Sequence, residues 1–357
     1  MRIKLHAYFA GNLGDDLMVR LLLQRYPNIQ FFTDSWAEES YIFREFPNFE
    51  NMEALAARYG RRNHLLNLLT WYRRPDWYLK RVQDRREKAC ACSVYIGGSV
   101  YTERTPPEGE AEKLRNGPLF VIGANYGRKS ADFANYFRRC AAVTFRDLSS
   151  YERFAHLPNV HFAPDVVLNL GISPKPSEGY TLISVMDLGA RPETAPWAKD
   201  YEALLVSLCA ACEHPVLVSF CRKEGDEAAL DRIARRAGNA KLLCYRGNME
   251  ELLNAFARAD RVIATRLHAM VLALRFRKPV FAISYNDKIK NMAMDMHFSS
   301  YCELSKIDSL TAQALLRRCS LPEALDDICA QAAKQFGPLD GFLEGWDGNC
   351  QHHRTGL

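Results

Sequence analysis

Short apolar runs bounded by turn residues recur along this chain, with helical patterns between them, and no other feature limits the fold so tightly. The first half predicts strands over Ile3–Phe9, Ile29–Thr33, Ser93–Ile96, Leu119–Ile122, Ala142–Phe145 and Val160–Phe162. Helical spacing falls near Asp15–Arg25, Met52–Tyr59, Asn63–Leu69, Ala131–Cys140 and Ser149–Phe154. The stretch "GISPKPSEGY", residues 171–180, then breaks the pattern with two prolines, two glycines and two serines, and reads as a linker. Beyond it, strands are predicted at Thr181–Val185, Val216–Phe220, Leu242–Tyr245, Val262–Ala264 and Val280–Ile283. Helices are predicted between them, near Tyr201–Cys212, Glu227–Ala237, Met249–Arg258 and Leu267–Leu274. Strands alternating with helices imply βαβ units and mainly parallel sheets. The expectation is an α/β protein of two domains, 1–172 and 179–335, with a cleft between them and a C-terminal tail at 336–357. A chain of 357 residues fits two domains of about 150–200 residues each.

Composition excludes several classes. The chain is 48% apolar and 25% charged, as a globular protein is, and its net charge of +5 does not suggest a nucleic-acid partner. Most of that excess sits in "RRPDWYLKRVQDRREK", residues 73–88, where seven basic residues face three acids. With Trp71, Tyr72, Trp77 and Tyr78 nearby, residues 71–88 offer either a solvated helix face or a peripheral contact with an anionic membrane. No window reaches the roughly 18–20 uncharged apolar residues needed to span a bilayer. The first residues lack the apolar core and cleavage site of a signal peptide. Eleven cysteines, an odd number scattered inside predicted strands and helices, suit buried thiols in a reducing cytoplasm. Cys209-Ala-Ala-Cys212 lacks the second pair that a zinc site needs, so no metal is expected.

Ligands of open parallel sheets bind beyond the carboxyl ends of the strands, so the loops there carry the candidates. After the first strand comes "FAGNLGDDLM". Gly11 and Gly14 ease the turn into a helix, and Asn12 can bond its own backbone. Asp15 and Asp16 stand at the helix start, where capping requires one acid; the other is surplus. Gly97 and Gly98 end the third strand and allow either a tight turn or close approach of a ligand. The next strand runs into "GANYGRKS", which supplies Asn125 and Arg128. The fifth ends in Arg146-Asp147, a surface ion pair or a fork for a carboxylate or phosphate. Pro164-Asp165 follows the sixth.

In "IATRLHAMVLAL", residues 263–274, a buried strand runs into an apolar helix with Arg266 and His268 in its first turn. Thr265 is the expected N-cap. Unpaired amides and the macrodipole make that end suited to an anion. In an empty site the helix end and Arg266 depress the histidine pKa, and a bound dianion reverses the sign. Tyr285, Asn286, Asp287 and Lys288 fill the loop after the next strand, with Lys288 a further cation.

These stretches, "GNLGDDLM", "YIGGS", "FRDLSSYE", "APDVV", "TRLHAMVLAL" and "SYNDKIK", resemble in this order the polysaccharide pyruvyl transferase family. Where that family often has a third glycine, this chain has Ser99. The resemblance implies two Rossmann-like domains in a GT-B-like arrangement, with an acceptor side in the first and a phosphoenolpyruvate side in the second. It implies transfer of the enolpyruvyl group of phosphoenolpyruvate onto two hydroxyls of a sugar in a cell-surface glycan or its lipid-linked precursor. The products would be a pyruvate ketal and phosphate, formed without a cofactor, in the cytoplasm or at the inner face of a membrane. Arg146, Arg266 and His268 correspond to positions implicated in handling the donor.

The chemistry agrees with the loops. Phosphoenolpyruvate carries a phosphate and a carboxylate, which Arg146, Arg266 and Lys288 would meet, while His268 supplies a proton and Asp15 or Asp16 orients or deprotonates an acceptor hydroxyl. Asn12, Gly14, Gly97, Gly98, Asn125, Asp165 and Tyr285 complete the expected substrate contacts. The alternative reading is a GT-B glycosyltransferase using a nucleotide sugar; another is a carbohydrate-binding protein without catalysis.

Overall fold

Two parallel sheets dominate the computed structural model, which describes residues 1–36, 41–62, 75–98, 101, 110–115, 117–127 and 132–346. The first contains β1 (Arg2–His6), β2 (Gln30–Phe32), β3 (Phe49–Glu50), β4 (Cys92–Ile96), β5 (Leu119–Ala124), β6 (Ala142–Phe145) and β7 (Val160–Phe162). The second contains β8 (Thr181–Val185), β9 (Pro215–Ser219), β10 (Lys241–Cys244), β11 (Arg261–Ala264), β12 (Val280–Ser284) and β13 (Tyr301–Glu303). Their orders are β3-β2-β1-β4-β5-β6-β7 and β10-β9-β8-β11-β12-β13. Each sheet grows outward on one side of its first strand and then crosses to the other, the doubly wound plan of a Rossmann domain. Central strands such as β8 and β12 are buried at every residue, as sheets covered by helices on both faces require.

The apolar runs located eleven of these strands. The two others, β3 and β13, are edge strands of two and three residues with too little apolar sequence to stand out. The predicted helix Asn63–Leu69 lies outside the described residues, as do Ser99 and Arg128.

The two sheets meet at their carboxyl ends. Leu13 N–H donates to the Phe220 carbonyl at 3.1 Å, and Asn12 and Cys221 form an antiparallel bridge. The loop after β1 is thereby pinned to the loop after β9. The chain finally returns to the first lobe. Gln335 accepts from Gly123 N–H at 2.9 Å and donates to the carbonyls of Ala163 and Pro164. Gly123 sits at φ 72° in a register shift of β5, which turns its amide toward that side chain. The stretch expected to be a tail holds the helix Gly337–Glu344, with the Phe342 ring 5.2 Å from that of Phe120 and Asp340 bonded to Arg25 and Tyr26.

The helix Pro75–Lys88 lies against the first sheet: Gln83 bonds Asp34, Glu87 pairs with Lys4 at 2.6 Å, and Arg86 pairs with Glu50 over the Phe32 ring. Lys80, Arg81, Arg85 and Lys88 are exposed. Trp71 and Tyr72 lie outside the described residues. Among the described residues no helix is long and apolar enough to cross a membrane, and ten cysteines are free thiols.

Candidate active site

The cleft between the lobes is built around Arg146, at the tip of β6. Its Nη1 donates to Asp165 Oδ2 at 2.8 Å and its Nη2 to Asn125 Oδ1 at 3.1 Å. Asp165 is anchored in turn, capping the short turn Val166–Asn169 through the Val167 amide. Burial opposes its ionisation but is outweighed by Arg146 and His268, which hold its carboxyl below the ordinary range. Gly98 explains how the guanidinium fits: a Cβ there would stand 2.1 Å from Nη2. Gly97, at φ 155°, donates from its amide to the Ile122 carbonyl.

The loop after β1 contributes differently from expectation. Neither aspartate caps the helix Leu13–Arg25; Asn12 does, accepting from Gly14 N–H at 3.0 Å. Asn12 is thus occupied by capping and by the bridge to Cys221. Asp16 is fully buried and accepts from Tyr245 Oη at 2.8 Å, a clasp between the lobes. Asp15 faces the cleft, within the fields of Arg146 and Lys288. Burial pushes its carboxyl up to about 7, with Asp16 and Glu224 raising it further and the two cations opposing. A group half ionised near neutrality is matched to taking up a proton.

From the second lobe, His268 enters in the first turn of the helix Leu267–Arg275. Its Nε2 lies 3.4 Å from Arg146 Nη1 and 3.7 Å from Asp165 Oδ2. Burial lowers its pKa to about 4, opposed by Asp165 and reinforced by Arg146, Lys288 and Arg266. Lys288 follows Asn286, the cap of the helix Asp287–Asp295. Burial and then Arg146 bring its pKa down to about 8. Lys288 and Arg146 line one pocket together with Asn125, Asp147, Leu267 and Met292.

Two expectations need correction. Thr265 does not cap its helix: its hydroxyl accepts from Tyr201 Oη at 3.0 Å, and Arg266 occupies the cap position without a side-chain bond to the helix. Nor does the Arg266 guanidinium stand uncovered beside Arg146: two carboxylates of its own lobe hold it. Asp226 grips it through Nε at 3.0 Å and Nη2 at 2.5 Å, and Glu224 takes Nη1 at 2.6 Å. A buried guanidinium requires such partners, and both carboxylates come from the loop after β9. Glu224, Asp226 and Arg191, whose guanidinium lies 5.7 Å from the Tyr285 ring centre, went unnoticed in the sequence. "KEGDE" repeats, after another strand, the glycine and paired acids of "LGDD", and that likeness was the available signal.

The model of the polysaccharide pyruvyl transferase family matches residues 12–287. The chain belongs to that family. The match runs from Asn12 to Asp287 and so takes in Arg146, Asp165, Arg266 and His268 of this pyruvyl transferase family member. No curated protein matches it significantly. Among solved structures, MurG of Acinetobacter baumannii is similar over 96% of this chain and 99% of its own, at 14% identity and TM-score 0.46. The lipopolysaccharide outer core galactosyltransferase WaaB covers the same shares at 9% identity and TM-score 0.47. An uncharacterised protein of Klebsiella pneumoniae shares 12% identity over 85% of this chain and 92% of its own, with TM-score 0.43. The two-lobed, GT-B-like arrangement expected of the family is present in the paired doubly wound sheets themselves.

Chemically, the cleft offers cations from both lobes beside a neutral imidazole and a carboxyl of raised pKa. That set suits an anionic substrate whose reaction moves protons.

Proposed function

We infer that this family member transfers the enolpyruvyl group of phosphoenolpyruvate to two hydroxyls of a sugar, forming a pyruvate ketal and releasing phosphate. One observation carries the reading: Arg146 and Lys288, from opposite lobes, line one pocket with His268 bonded alongside. Phosphoenolpyruvate brings two anionic groups, and several converging cations are what such a ligand requires.

A proton adds to the methylene carbon, and a sugar hydroxyl attacks C2 with loss of its own proton. The C2–O bond to phosphate then breaks, and the second hydroxyl closes the ketal, its proton going to the phosphate released. Burial holds His268 neutral, with Arg146, Lys288 and Arg266 adding to the effect, and the donor's negative charge offsets those cations. It then charges and gives a proton to the enol carbon or the departing phosphate. Asp15 accepts the proton of an acceptor hydroxyl, since Asp16 is committed to Tyr245.

Peripheral contact with an anionic membrane fits the exposed Lys80, Arg81, Arg85 and Lys88, and would bring the enzyme to a lipid-linked acceptor. Incubation with phosphoenolpyruvate and a panel of glycosides tests the activity, read as phosphate release with the mass gain of a ketal. Stabilisation by nucleotide sugars, with none by phosphoenolpyruvate, would replace it by glycosyl transfer.

A further inference from the structure

Glu224 ends the short turn Arg222–Glu224 that follows β9. One of its oxygens, Oε2, receives bonds from two guanidiniums: Arg191 Nη2 at 2.5 Å and Arg266 Nη1 at 2.6 Å. Asp226, two residues on, has a different position. It holds Arg266 through two bonds and is itself fixed by the amides of Phe220 and Cys221 at 3.3 and 3.1 Å. Asp226 therefore already supplies Arg266 with a bidentate counterion anchored to the backbone. Glu224 adds a second negative charge, and its side-chain bonds run to the two arginines. Its side chain is 20% exposed against 0% for Asp226. Lys288 and Arg191 act on each other through space, and Lys288 also acts on Glu224 and Arg146. The carboxylate therefore lies on the second lobe's side of the cleft, within the field of Lys288 and facing the first lobe's Asp15. Two guanidiniums converging on one oxygen, with an ammonium in range, is how proteins hold a ligand's carboxylate or phosphate.

We propose that Arg191 and Arg266 form an anion subsite of the cleft, taking a carboxylate or phosphate oxygen of the ligand, and that Glu224 fills this subsite in the unliganded protein. The proposal rests on the function above for the identity of the donor; the subsite itself requires only an anion. When the ligand arrives, rotation of the Glu224 side chain vacates the seat. Asp226 keeps Arg266 in place meanwhile, and the Tyr285 ring beside Arg191 keeps that guanidinium at the cleft.

Calorimetric titration of the full chain and of Glu224→Gln with phosphoenolpyruvate, inorganic phosphate and pyruvate tests it. Glu224→Gln keeps the side chain's shape and removes its charge, so phosphoenolpyruvate is expected to bind at least about tenfold more tightly. Tightening toward phosphate alone assigns the subsite to the phosphate, and toward pyruvate alone to the carboxylate. Adding Arg191→Gln to Glu224→Gln should cancel the gain. Unchanged or weaker binding of all three ligands by folded Glu224→Gln would overturn the proposal, leaving Glu224 a brace for Arg266. Glu224→Ser provides the same readout if the first variant fails to fold. Tighter phosphate binding without phosphoenolpyruvate binding would reject the donor and keep the subsite.

Discussion

Gly14 lies so close to His268 that a Cβ on the glycine would stand 1.8 Å from the ring's Nδ1. One lobe's helix start and the other lobe's imidazole thus share a space that only a hydrogen leaves open. Gly14→Ala must push the ring aside, and displacement of a reacting group by about 1 Å costs about a hundredfold in rate. Turnover by Gly14→Ala should fall by that order, and its unfolding midpoint should fall as well, since overpacking a filled space costs about 1–3 kcal/mol. His268→Ala should lose about 10²–10⁴-fold, the usual share of acid–base catalysis. A near-normal rate in His268→Ala would remove the histidine from the chemistry.

Asp15 and Asp16 are adjacent in sequence and divided in role. Asp15→Asn should abolish most ketal formation while leaving donor binding measurable by calorimetry. Asp16→Asn should instead weaken the clasp to Tyr245, where a hydrogen bond to a charged group contributes about 1.5–3 kcal/mol. A denaturation cycle combining Asp16→Asn with Tyr245→Phe should return a coupling energy. Additive losses would show that the bond does nothing for stability.

The cleft should leave a signature in stability against pH. Asp15 has its folded pKa raised from 3.8 to about 7, so its contribution is complete below about 3.8 and lost as pH rises through 7. His268 has its folded pKa lowered from 6.5 to about 4, so its contribution is present above about 6.5 and lost as pH falls through 4. Between pH 4 and 6.5 these slopes oppose each other. In Asp15→Asn the histidine slope is no longer opposed by Asp15, and urea midpoints should climb with pH across that window relative to the parent. In His268→Gln they should decline. Parallel curves for all three proteins would contradict both assignments.

Asp165 is the fully buried counterion of Arg146. Removing one partner of a buried pair costs about 3–5 kcal/mol, because the other charge is left uncompensated. Asp165→Ala should destabilise by that amount. Arg146→Met with Asp165→Ala should cost less than Asp165→Ala alone, though both proteins lose donor binding. If the double variant proved the less stable, the arginine would be contributing through packing rather than charge.

Apolar periodicity and turn residues located the central strands because a strand covered on both faces has to be apolar throughout; β8 and β12 are such cases. β3 and β13 escaped because an edge strand this short carries no pattern. Arg146, His268 and Lys288 were legible as charges at strand tips, a placement that folding alone does not favour. The partners of Arg266 were not legible. Thr265 looks like a cap in sequence, but Tyr201, 64 residues away, takes its hydroxyl, and no local pattern encodes that bond. The division between Asp15 and Asp16 likewise depends on Tyr245, 229 residues from Asp16. Long-range partners decide which of two similar side chains is left for chemistry.

Gln335 has one further implication. The buried amide of Gly123 finds its acceptor 212 residues downstream, so the lobe that leaves the ribosome first is sealed last. During synthesis the Gly123 amide waits without that partner until the whole second lobe has been made.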